Sequence, residues 1–268
     1  MPSSLPLIVG RLRAAGCVFA EDEARLLAEA ARTSQELDAM VDRRVAGLPL
    51  EQVVGWAGFC GLRIALEPGV FVPRRRTEFL VQQALMLAAP GAVAAGPGRS
   101  STVIVDLCCG AGAIAAALAA ALAASGRSAE VHAADIDTAA VRCARRNVPG
   151  HVYQGDLFEP LPAGLRGRVA ILTANVPYVP AGEIPFLPPE ARVHEPRAAL
   201  DGGADGLEVL RRVAAQAPRW LAPGGHLLTE TSERQAPAAA AALAGVGLVP
   251  RVVSSDDMQA TVVIGRSI

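Results

Sequence analysis

Two hydrophobic periods alternate along this 268-residue chain. From Thr102 onward, short unbroken apolar runs are separated by stretches whose apolar residues recur every three to four positions. Thr102 to Leu107 and Val169 to Leu172 read as buried parallel strands, because a strand covered on both faces has no polar side to show. Between them, Ile114, Leu118 and Leu122 share one face of a helix, a second strand ends at Ala134-Asp135, and His151 to Gln154 makes a third, short one. Asp137 is placed to cap a helix carrying Val141 and Ala144. Strands alternating with helices predict an α/β fold with an open, mostly parallel sheet. Leu248 to Ser254 and Ala260 to Gly265 are separated only by Ser255 to Gln259, and so short a connection predicts an antiparallel pair at the end of that sheet.

The first fifty residues follow the helical period instead. Thr33-Ser34-Gln35-Glu36 forms a capping box, and Leu37, Met40, Val41, Val45 and Leu48 follow at helical spacing until Gly47 and Pro49 stop the segment. Short helices of this kind bury their apolar stripes only against one another, which predicts a small bundle. Trp56 to Leu66, broken by Gly58 and Gly61, predicts a strand pair joining the bundle to the main domain. Ala89 to Ser101 reads as a surface loop rich in Gly, Pro and Ala. The resulting division is an N-terminal helical domain with its hairpin linker over residues 1–75 and a catalytic domain over 76–268.

Chemistry concentrates where the predicted strands end. Cys108-Cys109-Gly110-Ala111-Gly112 is a tight turn into a helix, where glycines let backbone approach a ligand and the helix start offers free N–H groups. Asp135, at the end of the next strand, is placed to accept from both hydroxyls of a ribose. A nucleoside-containing cofactor follows. Gly110-x-Gly112-x-x-Ala115 with Asp135 downstream also satisfies the dinucleotide fingerprint, so NAD competes with S-adenosylmethionine. Asp106 favours the latter, since an acid beside the turn repels a pyrophosphate but suits a sulfonium and an ammonium. Asp156 stands where an adenine amino group could be read.

Asn175-Val176-Pro177-Tyr178 comes straight off the Val169 strand. Pro177 holds Val176 extended, so the Val176 carbonyl and the Asn175 amide oxygen are two acceptors able to grip both hydrogens of one planar –NH₂ group. That device suits methylation of an amide or arylamine nitrogen. A plain Pro turn, with Asn175 bonding its own loop, is the alternative. The proline-rich stretch from Val179 to Ala204 is long for a loop and reads as a substrate wall or lid. His194 and Glu195 lie in it; a catalytic base is one reading of either, but a hydrogen bond shaping the loop is the expected role, since methyl transfer needs no base before attack.

Composition narrows the setting. All 25 basic residues are arginine and the formal net charge is −1, which argues against broad electrostatic binding of nucleic acid. Arg74-Arg75-Arg76 is a local exception, read either as a solvated turn or as a contact with RNA or an acidic partner. Five scattered cysteines make neither a disulfide framework nor a metal knuckle, and a reducing cytoplasm is the expected setting. No metal is expected at Cys108-Cys109, because no His or Cys cluster accompanies the pair. Met1 to Gly10 lacks a basic start and a long apolar core, and Ala113 to Ala124 is too short to span a bilayer, so neither a secretory signal nor a membrane partner is expected.

The chain resembles the HemK-type protein-glutamine methyltransferases, which methylate the glutamine of the Gly-Gly-Gln loop of peptide-chain release factors. The resemblance runs through Glu51 to Gly55, Phe59 to Leu62, Phe71-Val72-Pro73-Arg74, Thr77-Glu78, Asp106 to Gly112, Asp156 to Phe158, Asn175 to Tyr178, Glu195 to Gly203 and Leu221 to Gly225. It implies a class I, Rossmann-like methyltransferase sheet with S-adenosylmethionine held by Asp106, Cys108, Gly110, Gly112, Asp135, Ile136, Asp156, Leu157 and Asn175. It further implies methyl transfer at Asn175 to Tyr178, and substrate contacts from Phe71, Pro73, Arg74, Asn175, Tyr178 and Glu195. The implied partner is a release factor or similar protein, met by a monomer with no stable nucleic acid. The sequence departs from the family at Val176, where proline is usual, at Ala170, where aspartate is common, at Cys108-Cys109, and at Thr261. Two rivals remain: an adenine-amino or small-molecule N-methyltransferase, which would use the same acceptor pair, and a non-catalytic cofactor-binding relative, suggested by Val176, Ala170 and the cysteine pair.

Overall fold

The computed structural model describes residues 4–88 and 101–268; the Ala89–Ser101 loop therefore lies outside the described residues except for Ser101, which opens a strand. Four helices, α1 (Leu5–Ala14), α2 (Ala20–Ala30), α3 (Ser34–Val45) and α4 (Leu50–Val54), come first. Ile8, Leu12, Leu27, Met40, Val41 and Val53 form their shared core. The Thr33 hydroxyl caps α3 by accepting from the Glu36 N–H at 3.1 Å, while the Glu36 carboxylate reaches the Arg32 N–H rather than that of Thr33. Val45, expected on the buried stripe, is exposed at the helix end.

The predicted hairpin follows as β1 (Trp56–Phe59) and β2 (Leu62–Ala65). Its Phe59 and Ile64 pack into the same cluster as one face of the main sheet. Asn147 secures it there: its Oδ1 accepts from the Ala65 N–H at 2.9 Å and its Nδ2 donates to the carbonyls of Ala65 and Ala111.

The remainder alternates as the hydrophobic pattern requires: α5 (Glu78–Leu87), β3 (Ser101–Leu107), α6 (Ala113–Ala124), β4 (Ser128–Asp135), α7 (Thr138–Asn147), β5 (His151–Gln154), β6 (Val169–Ala174), α8 (Pro189–His194), α9 (Glu208–Trp220), β7 (Leu221–Thr231), α10 (Ala236–Ala244), β8 (Val249–Ser255) and β9 (Ala260–Arg266). Asp137 caps α7 through the Ala140 N–H at 2.8 Å. The sheet order is β5-β4-β3-β6-β7-β9-β8, with β3 to β7 parallel and β9 antiparallel to both of its neighbours. The last two strands pair as expected, but the later one lies inside. β9 is almost wholly buried and β8 takes the edge, where Pro250 needs no ladder donor. Helices α5, α6 and α7 cover one face of the sheet, and α9 and α10 cover the other.

Strand order reverses between β3 and β6. Leu107 pairs with Ala134 on one side and with Ala174 on the other, so the residues that follow, Cys108, Asp135 and Asn175, emerge side by side at the carboxyl edge of the sheet. Such a switch point is where open α/β sheets hold ligands.

Candidate active site

The turn after β3 is shaped by positive φ at Cys108 (53°), Gly110 (54°) and Gly112 (79°). The Gly110 N–H donates to Asp135 Oδ2 at 2.8 Å, and Oδ1 of the same carboxylate accepts from the Asp137 N–H at 2.9 Å. Gly112 serves packing: a Cβ there would lie 2.4 Å from Val148 Cγ2, so α6 could not approach α7. At Gly110 a Cβ would meet nothing within 4 Å, which leaves the turn open to a ligand.

A cavity of about 470 Å³ opens over this edge. Small-ligand sites fall in the range of about 300 to 1,000 Å³. Of the expected site residues, Cys108, Gly110, Asp135, Ile136, Asn175, Val176, Pro177, Tyr178, Phe71, Arg74 and Glu195 border it. Pro73 lines a small adjoining recess together with Phe71, Thr77, Gly110 and Asn175. Ile136 is 62% exposed, an apolar seat on the rim beside the Asp135 carboxylate. Burial pushes the Asp135 carboxyl upward and does the same, more strongly, to both thiols of Cys108-Cys109, keeping them protonated. Among the described residues no group of three or more His, Cys, Asp or Glu is gathered as a metal site requires.

Four expected cofactor residues lie off the cavity. Gly112 is one. Asp106 is fully buried beneath the turn, where Oδ1 accepts from the Thr173 hydroxyl at 2.7 Å and Oδ2 from the Ala115 N–H at 3.3 Å. Its place in the β3 register, opposite Thr173, directs it inward, and burial raises its carboxyl to about 7. Asp156 is paired with Arg212, and Leu157 packs in the core with a φ of 50°.

The segment from Val179 to Ala204 is a structured strap. Its ends are tied by Val179 N–H to Leu200 O at 3.0 Å and by Gly202 N–H to Val179 O at 2.8 Å, and it carries α8 between them. Leu187, Pro188, Ala191, Glu195 and Leu200 put it along the cavity wall. Glu195 is the residue that shapes it by hydrogen bonding, whereas His194 sits away from the cavity against Gly47.

Asn175 lines the cavity and carries a buried, unpaired acceptor. Four buried side-chain polar atoms lack a partner among the described residues, and Asn175 Oδ1 is the one carried by a residue that lines the cavity. Its Nδ2 lies 3.4 Å from Thr77 Oγ1. Sequence reasoning missed what surrounds it. Glu230, buried on β7, accepts from Thr77 Oγ1 at 2.6 Å, from Arg76 Nε at 2.9 Å and from the Tyr178 hydroxyl at 3.0 Å. Arg76 Nη2 donates to the same hydroxyl at 2.7 Å, and Gln235 Nε2 donates to the Tyr178 carbonyl at 2.9 Å. Burial, with the Glu230 charge, pushes the Tyr178 hydroxyl up, so it stays a neutral donor. The arginine run is thus no plain solvated turn: Arg74 and Arg76 turn inward onto Glu195 and Glu230. A lone charged residue in the buried Leu227 to Thr231 stretch was the available signal for Glu230.

A parallel sheet reversing at β3/β6, an antiparallel strand inserted near its end, and a cavity over a glycine turn define a class I methyltransferase fold. The 16S rRNA N2 G1207 methyltransferase of T. thermophilus, in complex with AdoMet and guanosine, superposes with a TM-score of 0.53 at 19% identity, covering 80% of this chain and 50% of that one. Residues 64–175 match the Methyltransferase small domain family. A release factor glutamine methyltransferase of Streptomyces coelicolor is 39% identical over 199 residues, 73% of this chain and 67% of the relative. The 4-amino-L-phenylalanine/4-methylamino-L-phenylalanine methyltransferase of Streptomyces pristinaespiralis is 38% identical over 198 residues, 73% of this chain and 65% of that protein. The chain belongs to the release factor glutamine methyltransferase family. It spans about two thirds of the length of the curated relatives it matches.

Proposed function

We propose that the protein transfers a methyl group from S-adenosylmethionine to the side-chain amide nitrogen of a glutamine in another protein, a peptide-chain release factor. The observation that carries this reading is the buried Asn175 Oδ1, an acceptor without a partner on a residue that lines the cavity. A buried unpaired acceptor costs about 1 to 3 kcal/mol, a penalty that a bound N–H donor removes.

The residues present fit the cofactor. Asp135 retains lone pairs for ribose hydroxyls, Gly110 is open to the ligand, and Ile136 offers an apolar face to a ring. When bound, S-adenosylmethionine supplies a methyl group made electrophilic by its sulfonium. The chain's own part is orientation. Asn175 Oδ1 and the Val176 carbonyl accept the two N–H groups of the substrate amide, which stabilises positive charge developing on nitrogen. Tyr178, fixed by Glu230 and Arg76, offers its ring as a flat wall, and Phe71 borders the same cavity. Fixing two reactants in register contributes about 7 to 11 kcal/mol, so a site without a general base suffices. The departing proton goes to water. The reading implies a monomer working in the cytoplasm, and the net charge of −1 argues against broad electrostatic binding of nucleic acid; among the described residues no helix is long and apolar enough to cross a bilayer.

A second reading has one observation in its favour. The acceptor pair requires only a planar –NH₂, and the cavity is lined by two aromatic residues, Phe71 and Tyr178, which suit a free arylamine as well as an amide. Labelled S-adenosylmethionine with a release factor decides between the two. Peptide mapping should place the label on the glutamine of Gly-Gly-Gln, and replacing that glutamine should abolish it; label confined to a small arylamine establishes the second reading instead.

A further inference from the structure

The orientation of the Asn175 carboxamide is set by a residue outside the cavity. The two ends of a carboxamide are nearly the same shape, so only its hydrogen bonds determine which end faces a ligand. Among the described residues the Asn175 carboxamide has one hydrogen-bond partner, Thr77 Oγ1 at 3.4 Å from Nδ2. A threonine hydroxyl has a single proton, and that of Thr77 is committed to Glu230 Oε2 at 2.6 Å, the short distance expected of a hydroxyl on a carboxylate. Thr77 therefore meets Asn175 with lone pairs only. Nδ2 must turn to Thr77, and Oδ1 is left as the unpaired end of a residue that lines the cavity.

We propose that Glu230 is a positioning residue that, by claiming the Thr77 proton, fixes Asn175 as an acceptor rather than a donor toward the substrate. The other two donors to Glu230 make the arrangement one-way. Arg76 Nε and the Tyr178 hydroxyl both point at Oε1, and the Tyr178 oxygen already accepts from Arg76 Nη2. A glutamine at this position must keep its oxygen toward Arg76, since a guanidinium cannot accept. Its amide then donates to Thr77 Oγ1, the threonine proton swings to Asn175, and the Asn175 carboxamide turns over. The proposal rests on the glutamine-methylation reading only for what Asn175 receives; the orientation itself is independent of any substrate.

The test uses the composition of the chain, which has two asparagines, Asn147 and Asn175. Protein labelled with ¹⁵N-asparagine shows two side-chain –NH₂ pairs. Asn147, held by the Ala65 and Ala111 carbonyls, reports that the fold is intact. In the parent protein the Asn175 –NH₂ protons should be protected from exchange with water. Glu230→Gln should raise their exchange rate at least tenfold without changing Asn147. Thr77→Val should raise it likewise, while Thr77→Ser keeps the protection. Equal protection of Asn175 in Glu230→Gln and the parent overturns the proposal. If Glu230→Gln fails to fold, the Thr77 pair decides: loss of protection in Ser as well as Val overturns it. On a confirmed substrate, Glu230→Gln should lower turnover at least tenfold with cofactor affinity unchanged, and add nothing in an Asn175→Ala background. Additive losses would mean that Glu230 does not act through Asn175. An inactive preparation whose Asn175 exchange behaves as expected counts against the substrate assignment and not against the positioning role.

Discussion

Glu195 and Arg74, 121 residues apart in sequence, meet with both carboxylate oxygens 2.6 Å from Arg74 Nη2. Oε1 also accepts from the Val72 N–H at 3.0 Å, and the Glu195 side chain is wholly buried. Burial pushes this carboxyl upward, against the lowering pull of Arg74. The contact pins the strap to the segment that leads into α5, and that segment delivers Phe71 and Arg74 to one wall of the cavity and Thr77 to the recess beside it. Arg74 also stacks over the Phe71 ring at 5.1 Å, so one pair holds strap, aromatic wall and entry segment together.

Glu195→Gln keeps one acceptor for Val72 but turns an amide donor toward Arg74. We expect a loss of about 1 to 3 kcal/mol in stability, the cost of one unpaired buried polar group. Proteolysis should quicken between residues 180 and 200, and the substrate KM should rise more than kcat falls. Thermal melts with limited proteolysis check this; an unchanged cleavage pattern would show that the strap holds without the pair.

Asn175→Ala removes an acceptor whose main use is in the transition state. Turnover should fall by about a hundredfold or more while cofactor affinity holds, the pattern seen when an electrostatic stabiliser is lost. Calorimetry alongside initial rates separates the two effects. Val176→Pro is the companion: it stiffens the backbone that aims the carbonyl, and we expect activity to be kept or raised. A large drop there would mean that the buried Val176 side chain matters more than the rigidity.

Asp135→Ala should weaken S-adenosylmethionine binding by roughly ten- to a hundredfold, since hydrogen bonds to a charged group contribute about 1.5 to 3 kcal/mol. The same change frees the Gly110 and Asp137 N–H groups, so the turn loosens as well. Unchanged affinity by calorimetry, or preferential binding of NAD, would remove the cofactor assignment.

Asp106 supplies a pH test. Burial lifts its carboxyl from 3.8 to about 7, so between those values the folded state holds a proton that the unfolded state has released. Its contribution is complete below about pH 4 and is lost as pH rises through about 7. In Asp106→Asn the amide can donate to Thr173 Oγ1 while its oxygen keeps the Ala115 N–H. The melting temperature of the variant relative to the parent should therefore rise between pH 5 and pH 8. A flat difference would mean that the carboxyl titrates normally. A drop in cofactor affinity beyond about tenfold would mean that its charge is felt in the cavity after all.

Local patterns and backbone constraints were legible in the chain itself. The Thr102 and Val169 runs gave their strands, Ile114, Leu118 and Leu122 gave α6, and Asp137 and Thr33 gave their caps, because periodicity and capping depend on residues a few positions apart. The positions of Cys108, Asp135 and Asn175 at one edge followed from strand ends, since parallel strands in register bring their carboxyl termini together. What packing decided is which polar groups meet. Asp106 and Asp135 both stand at the ends of buried strands, yet one points under the turn and the other borders the cavity. Glu195 found Arg74, and Glu230 found Thr77, Arg76 and Tyr178, across separations of 52 to 154 residues. A carboxylate taken out of water must recruit whatever donors the closed fold places around it, and no local spacing records which those are.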